Sequence, residues 1–303
     1  MHASLAPLGS NIQCQVSEDL WRSRPALLAA VAGFDALVVR NQTLVDAELI
    51  DRAERLRVVG RLGAGLDNLD LAALTARGVT VVHGAGLNAR AVAEYVIAAI
   101  LNLSRHLSRS DSDIRRGTWV RRPGFEMAGV VLGIVGLGQT GRETARLARA
   151  LGMTTLASDP FVREPASDVV LVSMEDLLQR AMVLSVHVPL SSDTVGLIGE
   201  AELALLPTDA IVVNASRGGV IDEGALYRAL KTGRLGGAAL DVRKVEPPPA
   251  DDSFLTLDNV LLTAHLAGLT VESQRAIAAS VLADVRRVLE GTSPQGPAIL
   301  PQS

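Results

Sequence analysis

Short apolar runs recur along the chain, separated by amphipathic segments of helical spacing. Ala36–Val39, Val58–Gly60 and Val79–Val82 read as buried strands, with helices over Pro25–Ala32, Asp46–Leu56 and Leu71–Arg77. Residues 12–16 alternate weakly and are read as a further strand ahead of them. From Ala91 to about Arg109 the pattern is that of one long helix, and Asp111–Pro123 is polar, arginine-rich and read as helix then loop. A second series follows at Val130–Val135, Thr154–Ala157, Val169–Val172, Val183–Val186, Ile211–Val213, Ala238–Leu240 and Val260–Thr263. Thr270–Gly291 reads as a closing amphipathic helix, with Ile277, Val281, Val285 and Leu289 at every fourth position. Strands that are apolar throughout, alternating with helices, predict an α/β fold with parallel sheets covered on both faces.

One turn carries chemistry. After the strand Val130–Val135, Gly136, Gly138 and Gly141 fall in G-x-G-x-x-G spacing, a helix pattern follows, and the next strand runs into Asp159. Strand, glycine turn, helix, strand and acid together form a dinucleotide-binding unit. Gly136 permits the turn, Gly138 lets the backbone approach a pyrophosphate at the helix N-terminus, and Gly141 lets helix pack on strand. A carboxylate at Asp159 accepts hydrogen bonds from a ribose and repels a 2′-phosphate, which favours NAD over NADP. The two series of strands then predict two Rossmann-like domains.

Polar residues stand at the carboxyl ends of predicted strands, the edge where open α/β sheets bind ligands. Asn214-Ala215-Ser216-Arg217-Gly218-Gly219 follows one strand, Asp241 ends another with Glu246 five residues on, and His265 follows a third, with Ala267-Gly268 after it. An Arg, a Glu and a His on such loops suit a carbonyl–alcohol couple. The His moves the proton, the carboxylate orients the ring and the Arg clamps a substrate carboxylate. His187, at another strand end, competes with His265 for the acid–base role on this reading.

Composition narrows the classes. With 303 residues, one large or two medium domains are expected. A net charge of −4 argues against nucleic acid as a partner. Cys14 is the sole cysteine, so neither an intramolecular disulfide nor a cysteine-rich metal site is expected, and a reducing cytoplasmic compartment fits. Met1–Ser10 shows no secretory signal pattern, and the longest apolar stretch, Val92–Leu103, is too short to span a membrane.

In combination these motifs resemble the D-isomer-specific 2-hydroxyacid dehydrogenases, from about Asp35 to Glu290. The likeness rests on Gly63-Ala64-Gly65-Leu66-Asp67-Asn68-Leu69-Asp70, Val92-Ala93-Glu94, the fingerprint through Asp159-Pro160, and His187-Val188-Pro189-Leu190 with Thr194. It continues in Asn214–Asp222, Gly237–Val242, Glu246-Pro247-Pro248 and His265. The resemblance implies NAD as cofactor and a catalytic set of Arg217, Glu246 and His265, with His187 moved to the cofactor pocket. It places Gln139 and Thr140 at the pyrophosphate, Asp159 at the ribose, and Val188, Pro189 and Thr194 on the adenine side. It places Ala215, Arg217 and Asp241 at the nicotinamide end, with Pro160, Ser216, His265, Ala267 and Gly268 completing the cofactor set. The amides of Leu62, Gly63, Ala64 and Gly65 are implied to hold the substrate carboxylate, with Asn88 nearby. Arg40 and Arg61 match positions that face a distal anion in the phosphoglycerate and sulfolactate dehydrogenase branch, and Arg121 and Arg122 are weaker additions.

The resemblance implies a discontinuous substrate domain, residues 1–90 plus 270–303, a cofactor domain over 91–269, an active-site cleft between them and a homodimer. The expected reaction is NAD-linked interconversion of a 2-hydroxy acid and a 2-oxo acid, with a glyoxylate/hydroxypyruvate reductase as the alternative. An NAD-sensing, co-repressor-like scaffold is the alternative of another class. Several departures stand out. Only Met1–Asn11 precede the segment at Ile12–Val16, so the first βα unit reads as shortened, and no regulatory module is expected after Ser303. Ala264 stands where Pro is common, His83 and Ala85 where Asn and Pro are common, and Arg243 where an aromatic is common.

Overall fold

A computed structural model describes residues 8–9, 11–164 and 168–301. The chain divides into two compact units, residues 1–88 with 270–303, and residues 89–269.

The first unit begins with α1 (Arg24–Val31), β1 (Ala36–Val39), α2 (Ala47–Arg52), β2 (Val58–Arg61), α3 (Leu71–Ala76) and β3 (Thr80–His83). The three strands pair in parallel, in register Val39↔Arg61 and Arg61↔His83. Val59 and Val81 point to the side covered by α1–α3, where they meet Leu27, Leu49, Ile50 and Leu74. Their neighbours Val58 and Val82 point the other way. This is the period-two alternation of a sheet buried on both faces. Residues 12–16 form no strand. They run as irregular, largely exposed chain, because polar Gln13 and Gln15 flank Cys14 and bury nothing.

The second unit runs α4 (Ala89–Ser104), α5 (Leu107–Arg115), β4 (Val131–Val135), α6 (Gln139–Ala150), β5 (Thr154–Ser158) and β6 (Val170–Leu171). It continues with α7 (Met174–Arg180), β7 (Val183–Val186), α8 (Glu200–Leu205), β8 (Ile211–Asn214), α9 (Glu223–Lys231), β9 (Gly237–Leu240) and β10 (Val260–Leu262). The expected single helix from Ala91 to Arg109 is two. The backbone turns left-handed at His106 (φ 54°), and the Asn102 carboxamide oxygen accepts from Ser108 N at 2.8 Å, restarting the helix as a local cap.

All seven strands of this unit are parallel, in the order β10-β9-β8-β7-β4-β5-β6. Strand order reverses at β4, so the carboxyl end of β4 is the switch point at which such sheets bind ligands. Leu132, Ile134, Ile211 and Val213 face α4 and α6, while Val135, Leu184, Val212 and Leu240 face α7–α9. The fold is α/β with parallel sheets, as the apolar pattern predicts.

The chain then returns to the first unit with α10 (Val271–Leu289) and β11 (Ala298–Ile299), which joins the four-stranded sheet antiparallel to β3. Ile277, Val281 and Val285 of α10 are at most 2% exposed against Val58 and Val82, each worth about 2 kcal/mol of apolar burial. The antiparallel β11 is too short to announce itself in the apolar pattern.

Candidate active site

The glycine turn is shaped by close approaches. Gly136 has φ 92°, and a Cβ there would lie 2.8 Å from Val188 Cγ1 and 2.9 Å from the His187 carbonyl oxygen. A Cβ on Gly141 would stand 2.2 Å from the Gly136 carbonyl oxygen, so only glycine lets α6 sit this close to the turn. Gly138 differs, since a Cβ there would meet nothing within 4 Å. The space over it is open.

The helix start is equally open. α2, α3, α7, α9 and α10 begin on Asp46, Asp70, Ser173, Asp222 and Thr270, whose side chains accept an N–H of the first turn. α6 begins on Gly138, with no side-chain cap. Its first N–H groups lack a side-chain cap and suit a bound anion. Asp159 locks the turn, with Oδ2 accepting from Leu137 N at 2.7 Å and Oδ1 from Phe161 N at 2.8 Å. Each carboxylate oxygen keeps a second lone pair, sufficient for a ribose hydroxyl. An uncapped helix, an open glycine and an adjacent carboxylate fit a dinucleotide. The residues that would hold it are Gly136, Gly138, Gln139, Thr140 and Asp159.

The other cofactor-side positions serve the loops first. The Thr194 hydroxyl donates to Pro189 O at 2.6 Å and accepts from Ser191 N, closing the turn after β7. His187 is half-buried, its Nε2 is 2.9 Å from Ser185 Oγ, and burial pushes its pKa down to about 4. A ring held neutral and tied to its own strand is a poor proton carrier near neutral pH.

His265 faces Glu246 across 2.8 Å, Nδ1 to Oε2, with both side chains partly exposed. With the carboxylate ionised, Nδ1–H is the donor and Nε2 is left as the proton-exchanging atom. His265 itself has φ 53°, an uncommon backbone state for a non-glycine residue. What holds it there is Asp241. Its backbone carbonyl accepts from His265 N at 2.8 Å. Its carboxylate, 1% exposed, accepts from Leu266 N, Ala267 N and the Thr263 hydroxyl at 2.8, 2.8 and 2.7 Å. Thr263 in turn accepts from the Tyr95 hydroxyl at 2.6 Å, because its own proton is given to Asp241. Burial is the first cause of the Tyr95 pKa, raised to about 12, so its hydroxyl stays protonated and the polarity of the chain is fixed. Asp241 is thus a buried anchor of the His265 loop. Tyr95 and Thr263 lie outside every motif, and nothing in their spacing marks them.

Arg217 follows β8 on a loop built by Asn214, which accepts from Ser216 N and donates to Arg217 O at 3.0 Å. Its guanidinium donates to the Ser216 carbonyl at 2.7 Å. Arg217, Glu246 and His265 all stand beyond the carboxyl ends of β8, β9 and β10, neighbouring strands of one sheet.

In the first unit, Arg40, Arg61 and His83 stand at the carboxyl ends of β1, β2 and β3. Arg40 Nη2 donates to Gln274 Oε1 of α10 at 2.6 Å. Arg61 folds back over Gly63, donating to Leu62 O at 3.2 Å, and occupies the space a Cβ on Gly63 would need. His83 Nδ1 is 3.2 Å from Ala64 O, and burial, assisted by the charge of Arg61, holds its pKa below the ordinary value. Leu62 N and Gly63 N already bond Val39 O and Arg61 O, so an anion nest in this loop rests on Ala64 and Gly65. Asn88 closes the unit just before α4. Arg122 pairs with Asp113 in the second unit, where Arg116 also binds that carboxylate, so it is a structural ion pair.

A switch-point glycine turn and an acid–base pair in one parallel sheet define the class, a dinucleotide-binding α/β unit equipped for proton transfer. Residues 97–267 match the D-isomer specific 2-hydroxyacid dehydrogenase, NAD binding domain family. The chain is 42% identical over 274 residues to the D-3-phosphoglycerate dehydrogenase of Archaeoglobus fulgidus, covering 89% of this chain and 52% of that protein. It is 40% identical over 295 residues to the (S)-sulfolactate dehydrogenase of Chromohalobacter salexigens, covering 95% of each. The crystal structure of the TT0316 protein from Thermus thermophilus superposes with a TM-score of 0.86 at 32% identity, over 90% of this chain and 88% of that one. The chain spans about half the length of the phosphoglycerate dehydrogenases it matches. It belongs to the D-isomer specific 2-hydroxyacid dehydrogenase family.

Proposed function

We propose that the protein interconverts a 2-hydroxy acid and its 2-oxo acid with NAD, and that the substrate carries a second, distal anion. The observation that carries the reaction is the His265–Glu246 pair, on the same sheet as the glycine turn. NAD, when bound, supplies the acceptor for the hydride that leaves C2. His265 Nε2 takes the hydroxyl proton as the C2–O bond becomes a carbonyl. Glu246 receives Nδ1–H and stabilises the imidazolium that forms. Arg217 clamps the substrate carboxylate and polarises the carbonyl in the reverse direction. Arg40 and Arg61, with the Ala64 and Gly65 amides, are assigned the distal anion and the carboxylate. Relatives named for phosphoglycerate and sulfolactate support that assignment.

Three further readings accompany this one. The residues of the second unit are the cofactor domain and those of the first the substrate domain. A homodimer is supported by exposed Leu107 and Ile114 on α5 and Trp119 just after it, large apolar side chains left open to solvent. A cytoplasmic location is supported by the single, unpaired Cys14. Among the described residues no helix is long and apolar enough to cross a membrane.

The test is a panel of 2-oxo acids with NADH, phosphorylated and sulfonated ones beside glyoxylate, hydroxypyruvate and pyruvate. Turnover on the doubly anionic acids, abolished in His265→Ala with NADH binding kept, is the expected result. Preference for glyoxylate selects the reductase alternative, and no turnover on any acid selects a binding scaffold. Arg61→Ala is expected to raise KM for phospho- or sulfo-substrates far more than for lactate, and equal effects would remove the distal anion from the proposal.

A further inference from the structure

We propose that Arg243 is a positioning residue for the acid–base pair, through a buried Glu223–Arg243–Asp252 cluster that fixes the backbone N–H holding Glu246 against His265. The inference rests on the hydride-transfer reading above.

Arg243 turns inward, and its side chain is 9% exposed. Its guanidinium spans two carboxylates, Glu223 at 3.0 Å and both oxygens of Asp252, which is itself only 6% exposed. The same guanidinium lies over the Phe254 ring, 4.6 Å from its centroid. A planar fork that bridges and stacks at once is arginine chemistry, which a lysine point charge does not reproduce. Asp252 is held below the usual carboxylate range, first by its hydrogen bond to Arg243.

The backbone of residue 243 is gripped by what the catalytic set depends on. Arg243 N donates to Glu246 Oε1 at 2.9 Å, while Glu246 Oε2 faces His265. The Arg243 carbonyl is packed against Gly218, the residue after Arg217, where a Cβ would come within 1.9 Å of its oxygen. Glu223 also accepts from Lys244 N at 2.6 Å, and it is the first residue of α9, into which the Arg217 loop runs. With its side chain held in the cluster, residue 243 reaches Glu246 through its backbone N–H, His265 through Glu246, and the Arg217 loop through its carbonyl against Gly218. Removing Arg243 alone would strand the buried Asp252 carboxylate and leave the half-buried Glu223 without its partner, so the cluster holds together only as a set.

The test compares the wild-type chain with Arg243→Lys and with the triple variant Arg243→Met, Glu223→Gln, Asp252→Asn, which strands no buried charge. The first readout needs neither cofactor nor turnover. It is the ¹H–¹⁵N signal of the His265 Nδ1–H in the NAD-free protein, assigned by its loss in Glu246→Gln. The second is kcat against the KM for NAD. The signal is expected to weaken in Arg243→Lys and vanish in the triple variant. With it kcat falls about 10- to 100-fold, the scale of a small misplacement of reacting groups, and KM for NAD is unchanged. A folded triple variant with the signal and kcat intact would overturn the proposal. Should that variant not fold, Arg243→Lys with undiminished signal and kcat does the same. Loss of the signal in a protein that turns over no hydroxy acid supports the positioning role and rejects the reaction instead.

Discussion

Asp241→Asn separates an anchor from a cofactor contact. The wild-type carboxylate is buried and accepts three hydrogen bonds, from the Thr263 hydroxyl, Leu266 N and Ala267 N. In the least disruptive arrangement the new amide nitrogen replaces Oδ2, which has one donor, and faces the Ala267 N–H. That stranded donor costs about 1–3 kcal/mol. The two remaining bonds lose their charge assistance, about 1 kcal/mol each. The sum, about 3–5 kcal/mol, falls on the loop that keeps His265 at φ 53°. At about 2–4 °C per kcal/mol for a chain of this size, the melting temperature is expected to drop by about 6 °C or more. A shift of the loop by an ångström lowers kcat by about 100-fold. NADH affinity, measured by fluorescence titration, is expected to hold within about threefold. Wild-type kcat with an unchanged melting temperature would refute the anchor. A large loss of NADH affinity with kcat retained at saturation would show that Asp241 is a cofactor contact after all.

Tyr95→Phe removes the outermost bond of the same chain, so its expected effects are milder. Stability falls by about 1 kcal/mol and kcat by less than in Asp241→Asn, and equal losses in kinetics and melting would contradict the order of dependence. Gly141→Ala drives a methyl into the Gly136 carbonyl and lifts α6 from the turn. A stability loss of about 1–3 kcal/mol with weakened NADH binding is expected by calorimetry, and wild-type affinity would show that the turn has slack. His187 gives a pH signature. The unfolded chain protonates it near 6.5 and the folded chain near 4, so between those values the unfolded state binds more protons. Stability present above about pH 6.5 is therefore lost as pH falls toward 4, by about 3 kcal/mol in all. Melting curves across that range should flatten in His187→Gln, and parallel curves for the two proteins would refute the assignment.

The parallel strands were legible because each is a largely apolar run bounded by turn residues. Val183–Val186 and Ala36–Val39 fall where the pattern puts them. The glycine spacing and Asp159 were legible because backbone approach and charge demand particular residues. Three things were not. The break at His106 depends on Asn102 capping the next helix, a side-chain bond with no periodicity. The segment at 12–16 alternates as a strand does, yet carries too little apolar surface to be kept in a sheet. The work of Asp241, Thr263 and Tyr95 is spread over 168 residues of separation and exists only once the sheet has formed. Arg243 was visible as a departure, but its inward turn onto Glu223 and Asp252 is decided by packing.

The order of elements has a consequence for how the protein comes into being on the ribosome. The sheet of the first unit starts within the first hundred residues, but its second face is closed by α10 and its last strand is β11. Val58 and Val82 therefore lack most of their apolar cover until α10 has emerged. The second unit draws all its strands from one continuous stretch and has no such wait. Synthesis thus favours a route in which the inserted unit folds while the early strands are only partly covered, and α10 seals them after it.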